Sequence, residues 1–176
     1  MMSPILTTER LVLSHISTSD VQLIFDIFTD PVCIRFIGDR GVRSLDDAKS
    51  YIAERFVGHY EKHGYGMDKV SLDGNDCPKG IGICGLIKRD EVGPPDIGFA
   101  FLTDYRGGGY CTEAAKAVLS YENQHHTLPE ILAYTDPENT ASQKVLEKLG
   151  MTKKVVTQLP GQDFDSLVFI KVSDCD

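Results

Sequence analysis

The sequence predicts a mixed α/β fold of the α+β kind: a mainly antiparallel central sheet, broken by one parallel step and flanked by about four helices. Seven short apolar or alternating runs read as strands, and four segments of helical period read as helices. Their order is β-α-α-β-β-β-α-β-α-β-β, a mixture rather than a strict alternation. The chain has 176 residues, enough for one hydrophobic core, and by length it is expected to be one domain over 1–176.

Residues 8–14 (TERLVLS) form the first predicted strand. Ser17 then caps a helix whose apolar face is Val21, Ile24, Phe25 and Phe28, and Asp30-Pro31 is expected to stop it. Ser44-Leu45-Asp46-Asp47 opens a second helix, with Leu45, Ala48, Ile52 and Phe56 on one face and an end near Gly64. Residues 65–72 and 79–88 read as strands joined through Asp73-Gly74-Asn75-Asp76, with Pro78 lengthening the loop. A fourth strand covers 96–103 after a turn containing Pro94-Pro95. The third helix runs from Thr112 to about Gln124, with Ala114, Ala117, Val118 and Tyr121 inward. A short strand at 131–135 leads through Asp136-Pro137-Glu138-Asn139 to a helix over 140–149, closed by Gly150. Strands near 152–159 and 166–172 complete the order.

Composition excludes several functions. No apolar run approaches the roughly 20 residues of a membrane span, and no basic segment followed by an apolar stretch marks a secretory signal. Five scattered cysteines without a C-x-x-C argue against a disulfide framework and a zinc site, and for a reducing, cytoplasmic setting. A net charge of −8 without a basic stripe argues against nucleic-acid binding and mildly favours cationic partners such as amines. His59 and His63 stand at i, i+4 on the second helix, where an exposed polar face is expected. His125-His126 end the third helix, where imidazolium suits the negative end of the dipole. No metal is expected.

The chemistry centres on Arg106-Gly107-Gly108-Gly109-Tyr110-Cys111-Thr112, between a strand and a helix. Glycines there let successive N–H groups converge, and the helix start adds unpaired donors and a positive dipole end. That is an anion site built from main chain, suited to a phosphate or pyrophosphate. No Lys-Ser or Lys-Thr follows, so the loop is not of the G-x-x-x-x-G-K-S/T kind. A formal G-x-G-x-x-G occurs at Gly80 to Gly85, but inside a predicted strand rather than before a helix, so a dinucleotide fold is not expected.

Three ordered segments resemble the GNAT superfamily of acyl-CoA N-acyltransferases, in particular its Rim-type (ribosomal-protein-alanine acetyltransferase-like) branch. Residues 8–13 (TERLVL) are similar to that branch's opening strand. Asp96-Ile97-Gly98-Phe99 followed by Arg106 to Ala114 resembles the acyl-CoA signature, Gln/Arg-x-x-Gly-x-Gly/Ala, with Cys111 at the last position. Asn139-Thr140-Ala141-Ser142, leading to residues 146–151 (LEKLGM), resembles the second signature. Leu146 stands where many relatives carry a tyrosine as general acid.

The resemblance implies acetyl transfer from acetyl-CoA to a primary amine, a small molecule or a protein N-terminus, by direct attack in a ternary complex. It places the pyrophosphate on Arg106, Gly107, Gly108, Gly109, Tyr110, Cys111 and Thr112. It places the pantetheine arm along Phe99, Ala100, Phe101 and Leu102, with Asn139 on its amide. Ser142 becomes the leading proton source for the thiolate and a contact to the co-substrate, with Tyr110 and Tyr134 as rivals. Asp96, Glu113, Asp163 and Asp165 stand in segments where a general base is required. A thiol at a helix start can also acquire a lowered pKa, so Cys111 is either reactive or a packing residue. Residues 35–43 and 159–165 are expected to wall the acceptor. A non-catalytic acyl-CoA-binding sensor on the same fold is the alternative, and either a monomer or a homodimer is compatible with the sequence.

Overall fold

The computed structural model describes residues 4–74, 79–90 and 92–172. A short strand β1 (Leu6–Thr7) precedes β2 (Leu11–His15), whose Leu11 and Leu13 are fully buried. Ser17 and Asp20 form a reciprocal capping box around a 3-10 turn that leads into α1 (Val21–Thr29). The buried face of α1 is Leu23, Ile24, Ile27 and Phe28, while Val21 and Phe25 pack at its margin.

Asp30-Pro31 ends α1, as the sequence predicts, and at once opens another helix that the sequence did not predict. The Asp30 carboxylate accepts from Val32 N and Cys33 N at 2.9 and 3.1 Å and opens α2 (Pro31–Ile37), with proline in the first turn. After the Gly38–Arg43 loop, Ser44 caps α3 (Leu45–Tyr51), which continues through a π-helical stretch (Ile52–Val57) into α4 (Gly58–His63). Ala48, Ile52 and Phe56 enter the core, but Leu45 stays 46% exposed at the helix start.

Strands β3 (Met67–Leu72), β4 (Gly80–Ile87) and β5 (Asp96–Phe101) follow; Asn75 to Pro78 of the expected hairpin lie outside the described residues. The glycines of β4 answer to packing. A Cβ on Gly82 would stand 2.5 Å from the Phe101 ring, and one on Gly85 would stand 2.0 Å from Gly66 O. The G-x-G-x-x-G pattern is therefore close strand contact, not a nucleotide loop.

The chain ends with α5 (Tyr110–His125), β6 (Glu130–Thr135), α6 (Thr140–Lys148), β7 (Thr152–Gln158) and β8 (Asp165–Val172). The sheet has eight strands in the order β1-β2-β3-β4-β5-β6-β8-β7, antiparallel except between β5 and β6. One face packs on α1 and α3 through Ile24, Ile27, Phe28, Ile52 and Ile83. The other packs on α5 and α6 through Ala114, Ala115, Val118, Leu146 and Phe169. The buried stripe of α5 is Ala114, Ala115, Val118, Leu119 and Glu122, one position round from the expected Ala117 and Tyr121. No described helix is long and apolar enough to cross a membrane.

Candidate active site

The one parallel step of the sheet is also where it comes apart. Strand β5 pairs with β4 along its whole length, from Ile87↔Asp96 to Gly82↔Phe101. With β6 it shares only Asp96↔Leu132, supported by Leu132 N donating to Pro95 O at 2.9 Å. From Ile97 onward the edge of β5 that faces β6 has no strand partner, and the two strands splay around a cavity of about 540 Å³. Phe99, Ala100 and Phe101 line this cleft from one side, and Tyr134, Asn139 and Ser142 from the other. Unpaired strand edges inside a fold are costly unless another chain or ligand completes them.

The glycine loop closes one end of the cleft. Gly107 and Gly109 take φ values of +79° and +81°, a region that L side chains rarely occupy. Gly109 is the N-cap of α5, and no side chain caps that helix, so the first-turn N–H groups are left to face the cleft with the positive dipole end. Gly107, Gly109, Tyr110, Cys111 and Thr112 line the cavity; Gly108 and Leu102 do not. Gly108 instead turns its carbonyl to Arg10 Nη1 at 3.1 Å, and Leu102 N donates to Ile81 O at 3.0 Å.

The role of the opening Thr8-Glu9-Arg10 segment becomes visible here. Glu113, in the first turn of α5, accepts from Thr8 Oγ1 at 2.6 Å, Arg10 N at 3.0 Å and Arg10 Nε at 2.7 Å. Burial works against its charge, but these donors hold its pKa below the usual carboxylate range. The Arg10 guanidinium also lies 4.4 Å over the Tyr110 ring. Residues more than a hundred positions apart in sequence thus pin the loop, and Glu113 is engaged as a clamp. Arg106 has a similar function: Nε donates to Phe101 O at 2.9 Å, and Nη2 lies 3.1 Å from Asp30 Oδ1. Its guanidinium ties the loop to the start of α2, rather than standing free as an added charge for phosphate.

The glycine loop between a strand and a helix stands where the sequence places it, and the structure adds the strand pair that splays after one shared position. The family model described as acetyltransferase (GNAT) domain matches residues 10–152. The chain belongs to the GNAT acetyltransferase family. Among its relatives, the uncharacterized N-acetyltransferase YnaD of Bacillus subtilis is 30% identical over 149 residues, 85% of this chain and 83% of that protein. An acetyl transferase of Salmonella typhimurium, which modifies the N-terminal serine of a 50S ribosomal subunit protein, has the same fold at a TM-score of 0.81. It is 12% identical and covered over 100%, with 98% of this chain. The microcin self-immunity acetyltransferase MccE, solved with acetyl-CoA and AMP, matches at a TM-score of 0.78 and 15% identity over 94% of each chain.

Within this GNAT domain the remaining candidates fall into two groups. Asn139 caps α6, its Oδ1 accepting from Ser142 N at 3.1 Å, and both residues line the cleft. Tyr134 projects from β6 with the Arg89 guanidinium 5.2 Å from its ring centre; burial, then the nearby Asp96 carboxylate, raises its phenol pKa. Asp96 is 2% exposed and gives both oxygens to Arg89, at 2.7 and 3.0 Å. Burial raises its pKa against the opposing pull of Arg89, but neither oxygen is left without a guanidinium partner.

Asp165 and Asp163 do not join the site. Both are exposed, and Asp165 accepts from Gln158 Nε2 at 3.1 Å on the outer strand pair. Its neighbour Ser166 is buried and lines the cleft instead, because side chains along β8 alternate between faces. Cys111 is not an activated thiol: burial pushes its pKa up to about 12. Leu146 is a core residue at 1% exposure. His59 is not on an exposed face either. Its Nε2 accepts from Lys88 N at 2.9 Å, so Nδ1 carries the proton toward Tyr65 O at 2.8 Å, and the ring bridges α4 to the end of β4. Among the described residues no group of three or more His, Cys, Asp or Glu could hold a metal ion.

Residues 35–43 and 159–165 do meet at the far end of the cleft from the glycine loop. Phe36, Ile37 and Arg40 line it from one segment, and Leu159, Gln162 and Phe164 from the other. A Cβ on Gly38 would lie 3.7 Å from the Phe164 ring, so the two walls touch.

Proposed function

We propose that the protein transfers an acetyl group from acetyl-CoA to a primary amine by direct attack within a ternary complex. The observation that carries this reading is the unpaired edge of β5 running from Ile97 into the uncapped start of α5. Main-chain groups of Phe99 to Phe101 present donors and acceptors suited to the amides of an extended pantetheine arm. A backbone N–H on that edge polarises the thioester carbonyl and stabilises the charge that develops on its oxygen. The loop of Gly107 to Thr112 receives the pyrophosphate, with Arg10, Glu113 and Arg106 fixing its shape.

Ser142, at the first turn of α6 and inside the cleft, is the proton source for the departing thiolate; Tyr134, protonated through its raised pKa, and Tyr110 also line the cleft as rival hydroxyls. An amine of low pKa, such as a protein α-amino group near 8, loses its proton to water without a carboxylate base. Both oxygens of Asp96 are held by Arg89, which fits support better than proton abstraction. The described cysteines are free thiols, in keeping with a cytoplasmic setting.

The test is thiol release from acetyl-CoA with an amine panel, for wild type and Ser142→Ala, beside calorimetric affinity for acetyl-CoA. Turnover in the variant is expected to fall by about tenfold or more with affinity nearly unchanged. Acetyl-CoA binding without amine-dependent thiol release by the wild type would mean a sensor, not an enzyme.

A further inference from the structure

The far end of the cleft carries polar groups that the fold leaves without partners. Residues 35–43 hold three arginines. Arg35 pairs with Glu138 at 3.2 Å, and Arg43 pairs with Asp39. Arg40 makes no ion pair and no hydrogen bond among the described residues, yet it lines the cleft and lies close enough to Asp96 to favour its ionised form. Arg89 cancels the charge of Asp96 through its two-point contact. Arg40 therefore leaves one uncompensated positive charge on this wall. Across from it, Gln162 lines the same cavity with its side-chain oxygen buried and without a hydrogen-bond partner. A buried acceptor without a donor costs stability until a ligand supplies an N–H. Phe36 and Phe164 frame the two.

We propose that the acceptor is a primary amine with a carboxylate near its nitrogen, on the same residue or the next, the carboxylate read by Arg40 and an N–H of the acceptor received by Gln162 Oε1. This rests on the acetyl-transfer reading. The overall charge of −8 points toward cationic partners, but the charged side chains lining this end of the cleft are Arg40, Arg89 and Asp96, two cations to one carboxylate. Arginine suits a carboxylate because its planar donors bind two oxygens at once. A free amino acid and a peptide whose acidic side chain follows the N-terminal residue offer the same chemistry, and the assay separates them.

Full-length protein is given acetyl-CoA with matched acceptors: leucine against leucinamide, and Ser-Asp-Leu-amide against Ser-Asn-Leu-amide. Binding of each acceptor to the CoA complex is measured alongside turnover. Removing a neighbouring carboxylate lowers an amine's pKa, so chemistry alone favours leucinamide; a preference for leucine comes from the site. The carboxylate member of at least one pair is expected to show kcat/KM about tenfold higher. Arg40→Gln collapses that ratio toward one, and Arg40→Lys restores part of it. Whichever pair shows the effect identifies the source of the carboxylate. Equal rates within both pairs, or an unchanged ratio in Arg40→Gln, overturn the proposal while acetyl transfer stands. Arg40-dependent binding of the carboxylate members without turnover supports the carboxylate site while acetyl transfer falls. Neither binding nor turnover with any acceptor overturns both.

Discussion

Gly109 is the position where backbone geometry and ligand binding can be separated by one methyl group. Its φ is +81° at the N-cap of α5, and a Cβ there would lie 3.4 Å from Arg10 Nη2, near contact rather than a severe clash. The cost of Gly109→Ala is therefore mainly that of holding an L residue in the left-handed region, about 1–2 kcal/mol. The loop escapes that cost by rotating Gly109 to negative φ, which turns the first N–H groups of α5 out of the cleft. Affinity for acetyl-CoA, read by calorimetry, should then fall about five- to thirtyfold, the same free energy expressed as binding. Gly41→Ala is the control, because Gly41 has φ +74°, nothing within 4 Å of the added methyl, and a place outside the cleft lining. It should lower the melting temperature by a few degrees, about 2–4 °C per kcal/mol at this chain length, with affinity unchanged. Wild-type affinity in Gly109→Ala, or equal weakening in Gly41→Ala, would refute the assignment of the loop.

Glu122 gives a pH signature of folding. Burial, aided by the nearby Asp68 carboxylate, pushes its pKa up to about 7, and Oε2 has no hydrogen-bond partner although His126 Nε2 lies 3.3 Å away. A folded pKa above the unfolded one means that folding takes up a proton, so stability falls as pH rises from about 4.5 through 7. Glu122→Gln should therefore gain roughly 2 kcal/mol at pH 8 relative to pH 5 in urea unfolding; equal effects at both pH values would contradict this. If Asp96 supports Arg89 instead of acting as a base, Asp96→Asn should lose stability and turnover at every pH. Rescue of its turnover at high pH, where the amine deprotonates unaided, would restore the base role. With a thiol pKa of about 12, Cys111 should resist iodoacetamide at pH 8 in the folded protein, and rapid labelling found by peptide mapping would show the buried environment to be wrong.

The sequence made legible whatever depends on local pattern. The glycine loop between strand and helix, the helix starts at Ser17 and Ser44, and the order of elements apart from β1 and α2 all follow from period and turn chemistry over a few residues. That residues of 35–43 and 159–165 line the cleft was legible because polar, glycine-containing segments between core elements tend to line sites. Asp30-Pro31 ends α1 as expected, but α2 was missed because the same pair opens another helix when the aspartate caps it and proline occupies the first turn. Asp165 was one residue from the group that lines the cleft; strand alternation put Ser166 inward. The Arg10–Glu113 clamp spans 103 positions, and no spacing rule reaches that far. Glu122 was missed because a charged residue on an otherwise apolar stripe reads as its edge, whereas α5 carries it into the interior at 5% exposure.

Amide hydrogen exchange with and without acetyl-CoA tests most directly whether the splayed strand and glycine loop receive the co-substrate. Slower exchange is expected in the segments 99–101 and 107–112, with ATP and NAD producing none. Unchanged exchange in both segments at saturating acetyl-CoA, or protection by ATP or NAD in its place, would contradict the assignment of the cleft.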